Sequence, residues 1–188
     1  MGMPATPESV TTLDEFFALP EQSGSGRQEL LDGRFLVSPE ASLRHQRAAF
    51  QLGRLIFPAL AGLTDLELFT SPGDIILSPR TVVQPDVFVI PRPRSSSVHW
   101  RGVGLPVLVV EILSPRTATR DRVAKRALYQ QAGIPEYWIV DLDARLIERW
   151  RPDDQRPEIL VENLAWRVPG AERDIQLDLL TFFGRVLD

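Results

Sequence analysis

Residues 107–126 read VLVVEILSPRTATRDRVAKR, an apolar run that ends in a carboxylate and passes into a helical stretch carrying a lysine. The run LPVLVVEIL (105–113) has the composition of a buried strand, yet it holds Glu111 near its end. A carboxylate in such a place is costly unless it is paired, hydrogen-bonded or holding a metal. The helix expected over 119–132 stops at Gly133, the residue type favoured just past a helix C-terminus. A strand, a helix and the next apolar run, PEYWIVD (135–141), follow one another in that order.

Working outward, TLDEFFAL (12–19) predicts a short helix with Thr12 and Glu15 spaced as a capping box. EQSGSG (21–26) reads as a flexible connection, and RQELLDGRFLVSP (27–39) as a hairpin turning at Asp32-Gly33. A helix is expected over 42–57, ending at Pro58, with Ala48, Leu52 and Leu55 at helical spacing and a polar stripe of Arg44, Arg47, Gln51 and Arg54. Strands follow at 65–70, 74–79 and 81–90, then a second hairpin from PEYWIVD into RLIERW (145–150) across Leu142–Ala144. DIQLDLLTFFG, near the end, reads as a further strand and a terminal helix or loop. This pattern predicts an α/β (α+β) fold, with a central mixed β-sheet flanked by helices.

The 188 residues, 44% hydrophobic and 24% charged, suit a single domain spanning 1–188 with a sizeable core. No run approaches transmembrane length, so no membrane role is expected. The absence of cysteine excludes disulfides and thiolate metal sites and points to the cytoplasm. The first residues, MGMPATPESVTT, lack the basic and apolar regions of a signal peptide. A net charge of −4 gives no global attraction to polyanions, so a nucleic-acid partner would have to meet a local basic patch.

Of the 21 basic residues, all but Lys125 are arginine. A lysine that survives such a bias is a candidate for work a planar guanidinium cannot do; the alternative is a surface pair with Asp121 at i, i+4. In TVVQPDVFVI (81–90), period two puts Gln84, Asp86, Phe88 and Ile90 on one face. In LPVLVVEIL the same rule groups Glu111 with Val107 and Val109. Two acids facing each other on successive strands would raise each other's pKa, a conflict that a divalent cation resolves. Mg²⁺ accepts one or two carboxylates and keeps waters for substrate phosphates. Each acid alone could instead cap backbone groups or pair with arginine. The two acids together with the isolated lysine favour phosphodiester hydrolysis. The two histidines, His45 and His99, have no G-x-S-x-G partner, and neither a Walker loop nor GxGxxG is present.

The motifs ELLDG (29–33), SPEASLRHQ (38–46), VQPD (83–86) and VEILSPRTATRDRVAKRALYQQAGIPEYWIVD (110–141), in this order, carry a resemblance. Together the chain resembles the PD-(D/E)XK nuclease superfamily, and within it the bacterial restriction-endonuclease branch abundant in cyanobacteria. The likeness covers about residues 27–150, leaving an N-terminal helix and a C-terminal extension. It implies a restriction-endonuclease-like core and a metal-dependent endonuclease acting on DNA, using Mg²⁺, with Mn²⁺ able to substitute. The superfamily lysine two residues after the glutamate is absent: Leu113 stands there, and the branch supplies its lysine from the next helix, here Lys125. By the same resemblance Asp86, Glu111, Lys125 and Glu29 form the catalytic set, with Asp86, Glu111 and the Ile112 carbonyl as metal ligands. His45 and Gln84 become candidate DNA contacts, and Arg116, Arg120 and Arg122 beside Lys125 form a local phosphate-attracting patch. Packing for His45 and a solvated helix face for the arginines are the alternatives. Homodimer formation also accords with the resemblance. A non-catalytic nucleic-acid-binding or protein-interaction module of the same fold is the rival reading.

Overall fold

The computed structural model describes residues 12–19, 26–95 and 99–187; the connection expected at 21–26 lies outside these except for Gly26. Helix α1 (Leu13–Phe17) carries the expected capping box: Glu15 N–H donates to the Thr12 hydroxyl and Thr12 N–H to the Glu15 carboxylate. Strands β1 (Arg27–Leu31) and β2 (Arg34–Ser38) form the ELLDG hairpin. Asp32 and Gly33 both take positive φ, 48° and 75°, the pair of left-handed residues that a tight two-residue turn requires.

Helix α2 (Leu43–Leu60) runs three residues past its expected end, with Pro58 in its last turn. Proline forfeits one N–H there, while the extra turn brings Leu60 into the core. The remaining strands are β3 (Leu66–Thr70), β4 (Ile75–Ser78), β5 (Thr81–Val83), β6 (Val87–Pro91), β7 (Leu108–Ile112), β8 (Tyr137–Asp141), β9 (Leu146–Trp150), β10 (Glu158–Leu160), β11 (Asn163–Trp166) and β12 (Ile175–Asp178). Helix α3 (118–131) lies between β7 and β8, and helix α4 (Leu179–Leu187) ends the described chain. DIQLDLLTFFG thus splits into β12 and α4 at Asp178, whose carboxylate caps the helix by accepting from the Thr181 N–H.

Six strands form the central mixed sheet in the order β10-β9-β8-β7-β6-β3. Only β7 and β8 run parallel within it, joined by the crossover through α3, and the other pairs are antiparallel. Helices α2 and α4 cover one face through Leu52, Ile56, Phe182 and Phe183, packed on Val87, Val110 and Trp138. The opposite face, with Phe88, Val109 and Ile139, packs against Tyr129 of α3 and Leu31 and Val83 of a second sheet. That sheet has the order β2-β1-β5-β4.

The expected single strand over 81–90 is therefore two strands in two sheets. Val82 pairs with Leu30 in the smaller sheet, Val87 with Val110 in the larger, and Gln84-Pro85-Asp86 carries the chain between them. Pro85 has no N–H for either ladder, which makes this the natural point to leave one sheet for the other. Gln84 and Asp86 accordingly do not share a face of one strand. β7 is also shorter than expected, beginning at Leu108. Val107 packs on the α2 side rather than beside Val109, so the expected grouping of Glu111 with Val107 fails while that with Val109 holds.

Helix α3 is α-helical at Ala118–Arg120 and Arg126–Gln131, with a π turn at Asp121–Lys125 between them. Within it the Asp121 carbonyl accepts the Arg126 N–H, five residues on, and also a 3.1 Å hydrogen bond from the Tyr137 hydroxyl. Among the described residues, no helix is long and apolar enough to cross a membrane.

Candidate active site

The antiparallel register of β6 and β7 pairs Val87 with Val110, so one step further along brings Asp86 level with Glu111. Residues opposed in this way project to one face of the sheet. Here that face meets the second sheet, which contributes Arg27 and Glu29 of β1, and helix α3, which contributes Asp121, Lys125 and Tyr129. The site opens into a cleft of about 1180 Å³ whose wall includes Arg27, His45, Asp86, Glu111, Ile112 and Arg120.

Each central carboxylate has one oxygen fixed and one turned to a common point. Asp86 Oδ2 accepts from the Ile112 N–H at 2.7 Å and lies 3.1 Å from His45 Nε2. Its Oδ1 receives Nη2 of Arg27. Glu111 Oε1 accepts from Lys125 Nζ at 2.7 Å and from the Tyr129 hydroxyl at 2.9 Å, while Oε2 lies 3.7 Å from Nη1 of Arg27. The Arg27 guanidinium thus spans the two acids.

Lys125 is fully buried, which overturns its reading as a surface partner of Asp121. Its Nζ sits 2.7 Å from both Glu29 Oε1 and Glu111 Oε1, with Asp121 Oδ1 only at 4.0 Å. Glu29 Oε1 also accepts from the Gln84 N–H at 2.9 Å, and the Gln84 side chain donates to Asp74 at 2.7 Å. Arg120 donates to the Ser38 hydroxyl and approaches Glu29 Oε2 at 3.7 Å. Arg122 pairs with Asp141 and Glu148. Arg116 stands exposed on the cleft wall.

Four buried carboxylates, those of Glu29, Asp86, Glu111 and Asp121, face three close cations, Lys125, Arg27 and Arg120. Glu29 Oε2 and Asp121 Oδ1 are buried without a hydrogen bond. Burial alone would raise the Asp86 carboxyl, but the His45 contact, the Arg27 charge and the Ile112 N–H outweigh it and hold the group at about 2. Burial pushes Glu111 up to about 8, with Lys125 opposing the rise and Asp86, Asp121 and Glu29 adding to it. For Lys125 burial works against the charge, yet Glu111, Glu29 and Asp121 prevail and hold the ammonium above its ordinary range. Lys125 therefore keeps its proton at neutral pH. Burial and the adjacent Glu111 likewise raise Tyr129, which remains a donor.

No cluster of three or more acidic or imidazole groups suited to an ion occurs among the described residues. What the site does offer is two carboxyl groups whose second oxygens meet at one point, and no sulfur. That donor set fits a hard divalent cation, which takes one or two carboxylates and retains waters. Ile112, at the same end of β7, lines the cleft and uses its N–H to orient Asp86.

Sequence reasoning missed Arg27, which has a signal in period two: it precedes Glu29 by two residues on β1 and so shares its face. Tyr129, four residues after Lys125, had the signal of helical spacing.

The architecture and the paired acids define a restriction-endonuclease-like protein of mixed α/β fold. The chain belongs to the Uma2 family, described as "putative restriction endonuclease", whose profile matches residues 13–180. It is similar to an uncharacterized protein of Synechocystis sp. (28% identity over 156 residues, 81% of this chain and 87% of that protein). A solved structure from Anabaena variabilis, described as a putative nuclease belonging to DUF820, superposes with a TM-score of 0.75 at 24% identity. The match covers 94% of this chain and 99% of that one, and it shows the shared fold. Family membership supports a nuclease-like function.

Proposed function

We propose that this chain is a divalent-metal-dependent endonuclease that hydrolyses DNA phosphodiester bonds, with Mg²⁺ as the ion and Mn²⁺ able to replace it. One observation carries the reading: Asp86 and Glu111 each have one oxygen locked by protein donors and the other turned to a shared point. Asp86 and Glu111 would hold the ion, with the Ile112 carbonyl as a third ligand. Once bound, it would supply Lewis-acid stabilisation of charge on the phosphoryl oxygens.

The chain's own groups do the positioning. Ile112 N–H and His45 fix the Asp86 carboxylate, and Lys125 and Tyr129 fix that of Glu111. Lys125, held protonated, serves as an electrostatic anchor rather than a base, and it ties Glu29 to the same point. Gln84 holds Glu29 through its backbone N–H. Of the arginines at the cleft, Arg116 makes none of the ion pairs that hold Arg120 and Arg122, which makes it the first candidate for a substrate phosphate. His45, Gln84, Arg120 and Arg122 are further candidate contacts.

The test incubates the purified protein with duplex DNA, single-stranded DNA and RNA in Mg²⁺, in Mn²⁺ and in chelator. Cleavage of DNA that needs the ion and vanishes in Asp86→Asn is expected. DNA retained but uncut in both ions would favour the non-catalytic module.

A further inference from the structure

We propose that Arg27 is an exchangeable counter-ion: its guanidinium and the divalent cation are alternative partners of the same two carboxylate oxygens, so ion binding expels Arg27 from Asp86 and Glu111. The inference rests on the proposed metal site.

The four oxygens of the two carboxylates fall into two kinds. Asp86 Oδ2 is committed to the Ile112 N–H and His45, and Glu111 Oε1 to Lys125 and Tyr129. That leaves Asp86 Oδ1 and Glu111 Oε2, the two atoms that Arg27 addresses with Nη2 and Nη1. A small divalent ion must bind oxygen at about 2.0–2.1 Å, which the guanidinium prevents while it occupies the same lone pairs.

Of the two cations on these acids, Arg27 is the one able to yield. The Lys125 side chain is 0% exposed and makes two 2.7 Å contacts, whereas the Arg27 side chain is 17% exposed, lines the cleft and reaches Glu111 only at 3.7 Å. A long, partly exposed arginine can swing its head into the cleft without unpacking its strand. Charge balance explains why a cation occupies this point. Two buried carboxylates on neighbouring strands repel each other, so a resident positive group keeps the strand ends folded until the ion takes over. The affinity of the wild-type protein for the ion is then lowered by whatever Arg27 contributes.

Calorimetric titration with Mn²⁺ compares wild type, Arg27→Gln, Arg27→Lys and Glu111→Gln at one pH, each checked for a cooperative thermal melt. Loss of a charge-assisted competitor should tighten Mn²⁺ binding in Arg27→Gln about tenfold or more. Arg27→Lys keeps a charge on a shorter side chain without the planar fork of the guanidinium, and it should fall in between. Equal or weaker binding in Arg27→Gln, while Glu111→Gln abolishes it, overturns the exchange and leaves the metal site standing. Absence of Mn²⁺ binding in every protein, wild type included, overturns both. Should the Arg27 variants not fold, the wild-type protein decides. On adding Mg²⁺ the Arg27 Nε–H resonance should shift and exchange faster with water, and an unchanged resonance with the ion bound refutes the exchange.

Discussion

Lys125→Met removes an ammonium from between two buried carboxylates, and the structure sets the size of the effect. Its Nζ makes contacts of 2.7 Å to Glu29 and to Glu111, with side chains 0%, 0% and 3% exposed. Water cannot replace the lost partner at that depth. Breaking a buried pair by removing one member costs about 3–5 kcal/mol. That is a large share of the roughly 5–15 kcal/mol that stabilises a typical domain. In a protein of this length it corresponds to a fall in melting temperature of about 6–20 °C. Thermal and urea unfolding followed by circular dichroism measure it directly. The deficit should also depend on pH. Burial already pushes Glu111 up to about 8 against the opposing charge of Lys125, and without the ammonium it would rise further. Wild type already bears the penalty of this carboxyl between about pH 4.5 and 8, so the extra deficit of the mutant should grow as pH climbs past about 8 and be smallest well below it. A loss below about 1 kcal/mol, the range of exposed ion pairs, would refute the burial argument.

Lys125→Arg should also fail, because a planar guanidinium cannot occupy the point shared by Glu29 and Glu111. Cleavage is expected to drop about 10²–10³-fold, and full activity would remove Lys125 from the site. Glu111→Ala should lose calorimetric Mn²⁺ binding, and binding equal to wild type would remove Glu111 as a ligand. Since Glu111 is pushed up to about 8, ion binding must release its proton, and apparent Mn²⁺ affinity should climb with pH up to about 8 and then level. Without added ion the same shift makes stability fall as pH rises from about 4.5 to 8. Asp86, lowered from 3.8 to about 2, gives stability that is present above 3.8 and lost as pH falls through about 2. Melting temperatures across this range check both signs.

Where local chemistry determines geometry, the fold was legible in the sequence. The capping box at Thr12 and Glu15 and the Asp32-Gly33 turn stand as expected, because each depends on neighbours within a few residues. The sheet switch at Gln84-Pro85-Asp86 was not, since period two cannot tell one long strand from two shared between sheets. Nor could helical spacing foresee the π turn at Asp121–Lys125, where the Tyr137 hydroxyl, from a distant strand, donates to the Asp121 carbonyl. Asp86 and Glu111 stood out as acids in apolar runs and Lys125 as the lone lysine, Glu29 only through the family resemblance, and the structure brings the four side chains into one cluster. Arg27 escaped notice because 20 arginines make any single one inconspicuous, and only the tertiary pairing of β1 with β5 carries it to Asp86.

The most direct test is an anomalous difference map from a crystal soaked in Mn²⁺. One peak is expected, bonded to Asp86 Oδ1 and Glu111 Oε2 at about 2.0–2.3 Å, with the Arg27 guanidinium displaced into the cleft. A map with no peak at that point, or with manganese bound elsewhere while Arg27 still bridges the two acids, would contradict it.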